Sequence, residues 1–104
     1  MSAAAYLPLF LRLRDQPCLV VGGGPVAARK INALLTAGAC VTVVAPALCP
    51  ALAQAAAAGQ FAHVAREFRD SDVDRQLLIV SATDQADVNR RVADAASTAG
   101  RLAN

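Results

Sequence analysis

The chain has 104 residues, a formal charge of +2 and an apolar share of 56%, enough for one domain with a core and too little for two. Nine of its ten cations are Arg, never more than two adjacent, and aromatics make up only 4%, so the basic, aromatic-laced surface of a nucleic-acid binder is absent. Charges, Gly or Pro break every apolar stretch before the roughly 18 residues that a membrane span needs.

The start, Met1-Ser2-Ala3-Ala4-Ala5-Tyr6, lacks the basic region of a secretory leader, which predicts a cytoplasmic location. Leu7 to Leu13 is an apolar stretch around Pro8 and reads as an edge strand or an extended lead-in, because Pro is excluded from central strands. Asp15-Gln16-Pro17 is a turn. Cys18-Leu19-Val20-Val21 is an unbroken apolar run of the kind buried on both faces of a parallel sheet.

Gly22-Gly23-Gly24 ends that strand, and Pro25 opens a helix to about Ala37, with Gly38 stopping it. Ala27, Ile31, Leu34 and Leu35 form its buried stripe, while Arg29 and Lys30 point elsewhere. Cys40 to Val44 is a second buried-type strand, closed by Ala45-Pro46. Pro50 to Ala58 is an Ala-rich helix, and Phe61 to Arg66 a weaker strand. Arg69-Asp70-Ser71-Asp72 is a polar turn. Leu77 to Ser81 is the most hydrophobic strand, and a helix follows from Ala86 to Thr98. Val88, Val92, Ala95 and Ala99 are its expected buried side, with Asp87–Arg91 and Arg90–Asp94 as i,i+4 ion pairs. Leu102-Ala103-Asn104 looks like the opening of a further strand.

Strands and helices alternating over short connections predict an α/β fold, a Rossmann-like doubly wound parallel sheet, within one domain over residues 1–104. Cys18, Cys40 and Cys49 are odd in number and widely spaced, and the lone His63 has no Cys or His close in sequence. Metal-ligand spacing and a disulfide framework are therefore both absent. Packing is the expected role of Cys18 and Cys40, and a structural role that of His63.

The chemistry rests on Gly22-x-Gly24-x-x-Ala27. Gly22 permits the tight turn, Gly24 leaves room for a pyrophosphate to approach the backbone, and Ala27 lets the helix pack closely. The helix start favours bound negative charge. The motif follows a buried strand and opens a helix in a βαβ unit, the context that makes it a dinucleotide site; the competing reading is a glycine turn that serves packing alone. An acidic residue about 20 residues on, which usually holds the ribose, is missing, because Ala45-Pro46-Ala47 stands there. Thr83, at the carboxyl end of the next parallel strand, is a candidate cofactor contact, and Asp84 a candidate helix N-cap.

Leu7-Pro8-Leu9-Phe10-Leu11-x-Leu13, then Cys18-Leu19-Val20-Val21-Gly22-Gly23-Gly24-x-Val26-Ala27-x-Arg29-Lys30, resembles the N-terminal domain of siroheme synthase, the precorrin-2 dehydrogenase and sirohydrochlorin ferrochelatase family. Gly38-Ala39, Val44-Ala45-Pro46 and Ala82-Thr83-Asp84-x-x-x-x-Asn89 fit the same pattern, over residues 6–104. The resemblance implies oxidation of precorrin-2 to sirohydrochlorin with NAD, then insertion of ferrous iron to give siroheme, in a homodimeric enzyme. It implies cofactor contacts at Gly22, Gly23, Gly24, Pro25, Val26, Pro46, Ala47 and Thr83. The tetrapyrrole's carboxylates suit a mildly basic domain. The base that the family uses for both reactions lies just past the position of Asn104, so no catalytic or metal-binding residue is expected here. The chain reads as the NAD-binding fragment of a larger enzyme, inactive by itself. The rival readings are a nucleotide-sensing Rossmann module of a regulatory protein and a folding unit that binds only with its partner region present.

Overall fold

The computed structural model describes residues 5–104; the part of the leader expectation that rests on residues 1–4 lies outside them. Five strands, β1 (Pro17–Val21), β2 (Cys40–Val44), β3 (Ala62–Val64), β4 (Leu78–Ser81) and β5 (Leu102–Ala103), form one sheet in the order β3-β2-β1-β4-β5. Every pairing is parallel. Three helices connect them: α1 (Pro25–Thr36), α2 (Pro50–Ala57) and α3 (Ala86–Thr98). A 3-10 turn, Asp70–Val73, lies in the connection between β3 and β4.

Strand alternation divides the core between the two faces of the sheet. Cys18, Val20, Val41, Val43 and Val80 pack with Ala27, Ile31 and Leu34 of α1 and Leu52 of α2. Leu19, Val21, Val44 and Ile79 face the other way, toward Val92 and Ala96 of α3 and toward Phe68 and Val73. Helices on both faces make the sheet doubly wound, as the alternating pattern predicts. A fully buried Ile31 or Ile79 stabilises the fold by about 1.5–3 kcal/mol relative to an exposed one. Burial also pushes the Cys18 thiol above its ordinary pKa, so it packs as a neutral hydrophobe.

Several expectations shift. Residues 7–13 join no strand; Leu7, Leu9, Phe10 and Leu11 are exposed, and only Leu13 packs on the core. Cys40 opens β2 as expected yet is exposed, because the first residue of the strand lies at the sheet's margin, where β1 offers only the equally exposed Pro17 beside it. β3 is three residues long instead of six: the Arg66 amide donates to the Val64 carbonyl (3.0 Å) and turns the chain out of the sheet. The buried side of α3 is Val92 and Ala96, with Val88 and Ala95 half-buried and Ala99 exposed. Neither expected ion pair of α3 forms. Instead the Arg91 guanidinium lies 5.8 Å from the Phe68 ring centroid and donates to the Phe68 carbonyl at 3.3 Å, since the core brings Phe68 against that helix.

Candidate functional site

All five strands end on the same edge of the sheet, and the strand order reverses at β1, whose neighbours are β2 on one side and β4 on the other. Crevices at such reversal points are where open α/β sheets bind ligands. A cleft of about 560 Å³ opens there.

Its first wall is almost entirely backbone. Gly22 has φ +135°, a conformation that side chains rarely adopt. It donates to the Val44 carbonyl (3.0 Å), while the Ala82 amide donates to the Val21 carbonyl (2.8 Å), so β1 is tied to both neighbours as it leaves the sheet. A Cβ on Gly22 would overlap the Ala82 carbonyl, and one on Gly23 would overlap the Ala47 carbonyl. The Gly23 carbonyl accepts from the Cys49 amide at 2.8 Å, which clamps the loop after β2 onto the glycine turn. Gly24 differs from both: its φ of −98° suits any residue, and a Cβ there would meet nothing within 4 Å. Gly24, the N-cap of α1, lines the cleft and has open space beside it.

Pro25 is the first residue of α1, and no acidic side chain stands in its first turn. The N-terminal amides of that turn have no intrahelical acceptor, and the helix dipole leaves partial positive charge beside the open space. Gly22, Gly23, Gly24, Pro25, Val26, Pro46, Ala47 and Thr83 all line this one cleft. The eight residues singled out in the sequence are thereby brought together. Arg29 and Lys30, exposed on α1, do not line it.

The second wall is built from side chains. Phe68, Val88 and Arg91 continue the cleft over the α3 side of the sheet, a region the sequence motif gave no sign of. Beside it, Arg66 grips Asp72 with two parallel hydrogen bonds, 2.8 and 2.6 Å. The Arg66 guanidinium holds the Asp72 carboxyl below the ordinary carboxylate range, and Asp72 also accepts from the Arg69 amide (2.8 Å). This brace closes the segment that presents Glu67 and Phe68 to the cleft.

Asp84 does not cap α3. The N-cap is Gln85, with no side-chain capping hydrogen bond; its amide donates to the Thr83 hydroxyl at 3.2 Å, a serine/threonine turn just ahead of the helix. His63 is structural as expected, with Nε2 2.9 Å from the Ala45 carbonyl. Among the described residues no group of His, Cys, Asp or Glu could hold a metal ion, and no helix is long and apolar enough to cross a membrane.

The residues present fit a nucleotide with a pyrophosphate: a helix N-terminus, a glycine with open space in front of it, and apolar walls on either side. Comparison with known proteins agrees. A family model described as “Putative NAD(P)-binding” matches residues 9–104. The siroheme synthase of Thioalkalivibrio sulfidiphilus is 53% identical over 89 residues, 86% of this chain and 18% of that protein. The siroheme synthase of Chromobacterium violaceum is 48% identical over 99 residues, 95% of this chain and 21% of that one. The solved structure of SirC, a precorrin-2 dehydrogenase, superposes with a TM-score of 0.82 at 32% identity, over 95% of this chain and 48% of its own. The chain thus spans about a fifth of the length of the siroheme synthases it matches.

Proposed function

The chain belongs to the NAD(P)-binding family matched over residues 9–104, and from that premise we propose that it is the NAD-binding portion of an enzyme that oxidises precorrin-2 to sirohydrochlorin and inserts ferrous iron to give siroheme. One observation carries the reading: the open space in front of Gly24 at the start of α1, in a turn whose other two glycines are filled by neighbouring backbone. A packing turn has no use for the third glycine. A pyrophosphate does.

Gly22 to Gly24 and the first turn of α1 bind the phosphates through amides and dipole. Pro46 and Ala47 hold the adjacent ribose through backbone groups, since no acidic side chain follows β2. The cation nearest to hand, Arg91, belongs to the opposite wall, and this favours NAD over its 2′-phosphorylated form. Phe68 and Val88 keep water from the apolar end. When bound, the nicotinamide supplies the hydride acceptor for dehydrogenation. The titratable side chains lining the cleft are Cys49, Glu67, Asp84 and Arg91. We assign the chain cofactor binding, with turnover, the tetrapyrrole site and the homodimer completed by regions like those that extend its longer relatives. The organisation favours the cytoplasm, as a globular α/β domain.

Calorimetry with NAD+, NADP+, ATP and AMP tests the reading. Tightest binding of NAD+ supports it, whereas preference for ATP or AMP would favour a nucleotide-sensing module. Precorrin-2 oxidation by the chain alone would overturn the assignment of turnover to other regions.

A further inference from the structure

We propose that Asn89, which does not line the cleft, is a positioning residue that fixes the Thr83 hydroxyl as a hydrogen-bond acceptor for an O–H or N–H group of the bound nucleotide. This rests on the dinucleotide reading of the cleft given above.

Thr83 follows β4 and lines the cleft beside Gly22. Asn89 reaches back from α3 and pairs with Thr83 as a neighbouring strand would. Its Nδ2 donates to the Thr83 carbonyl (3.0 Å), and its Oδ1 accepts from the Thr83 amide (3.3 Å). Those two partners, one acceptor and one donor, leave a single orientation of the carboxamide. The same Oδ1 lies 2.7 Å from the Thr83 hydroxyl. An amide oxygen carries no hydrogen, so the hydroxyl must donate to it. The other acceptor in reach, the Gln85 carbonyl, is further away at 3.1 Å.

The remaining capacity of the hydroxyl follows by counting. It has one hydrogen and two lone pairs. Asn89 takes the hydrogen, and the Gln85 amide occupies one lone pair at 3.2 Å. One lone pair is left. The hydroxyl can accept from a ligand and cannot donate to one, so it repels phosphate oxygens and selects a donor. A dinucleotide offers three kinds: the carboxamide amino group, the adenine amino group and the ribose hydroxyls. Orientation by Asn89 makes that choice independent of the ligand, since the hydroxyl hydrogen is already committed when the nucleotide arrives.

A double-mutant cycle on NAD+ binding separates this role from simple loop support. T83V and N89L are each expected to weaken binding about five- to tenfold, since T83V removes the hydroxyl and N89L removes the oxygen that takes its hydrogen. The N89L effect is expected to shrink in the T83V background, where no hydroxyl remains to be oriented. T83S should recover most of the affinity that T83V loses, and N89D, which keeps an acceptor oxygen for the hydroxyl, should weaken binding less than N89L. Unchanged affinity in T83V, no recovery in T83S, or an N89L effect undiminished beside T83V would each overturn the proposal. Nicotinic acid adenine dinucleotide and nicotinamide hypoxanthine dinucleotide identify the donor: the analogue whose binding T83V no longer weakens lacks the group that Thr83 accepts from, and a T83V effect that survives with both assigns it to a ribose hydroxyl. Failure of the unsubstituted chain to bind NAD+ at all would refute the dinucleotide reading itself, a result distinct from any of these.

Discussion

The two walls of the cleft are made by different means. On the side of β2, position is set by main chain against main chain: Gly22 against Ala82, Gly23 against Ala47, and the Cys49 amide on the Gly23 carbonyl. On the side of α3, position is set by side chains: Asn89 on Thr83, Arg91 on Phe68, Arg66 on Asp72. At Gly22 and Gly23 the first wall leaves no room for variation, because a single methyl group there would displace backbone. The second is adjustable, since each contact there is worth about 1 kcal/mol and can be exchanged for another. A rigid wall suits the part that dinucleotides share, their pyrophosphate. An adjustable one suits the parts by which nucleotides and substrates differ.

The largest effect expected from breaking this contrast is at Gly23. G23A places a methyl group on the Ala47 carbonyl, and a loss of about 3 kcal/mol in unfolding free energy by denaturant titration is expected, as for overpacking elsewhere, together with loss of NAD+ binding. G24A, one residue on, sharpens the comparison. Its methyl group enters the open cleft, so the thermal midpoint should hold while NAD+ affinity falls about tenfold, or about 1.4 kcal/mol. Equal destabilisation by the two substitutions would show that all three glycines serve packing.

Effects on the second wall are smaller. R91L removes the cation from the Phe68 face and is expected to cost about 0.5–1 kcal/mol of stability, read by the same titration. Smallest is the brace. Asp72 has its pKa lowered chiefly by Arg66, so its contribution is present above the ordinary carboxyl range and is lost as pH falls through the lowered value. The thermal midpoint of D72N should therefore lie a few degrees below that of the unsubstituted chain at neutral pH, and the gap should close in acid. A gap that widens in acid would contradict the sign of the shift.

Much of the rigid wall was legible in the sequence because it is local. Gly22-x-Gly24-x-x-Ala27 between an apolar run and a proline specifies a strand, a turn and a helix within a dozen residues, and α1 begins at Pro25 as expected. The adjustable wall was not. Phe68 and Arg91 are 23 residues apart, and no periodicity along the chain announces that they touch. Local rules also misplaced contacts that compete with longer-range ones. Asp87–Arg91 satisfies the i,i+4 spacing, yet the ring and carbonyl of Phe68 win the guanidinium. Asp84 precedes α3 as a capping residue would, yet the helix starts later, with Gln85 at its N-cap and no side chain capping it.

Composition and pattern by themselves determined the α/β class, the order of elements and the position of the phosphate turn, because hydrophobic period, glycine and proline act over a few residues. An apolar share of 56% in 104 residues is what a sheet covered on both faces requires. Tertiary structure alone decided what fills the space at Gly22 and Gly23, the carbonyls of Ala82 and Ala47. It also decided which side chains face the cleft from α3. Both depend on distances between segments far apart in the chain, which packing sets and sequence spacing does not.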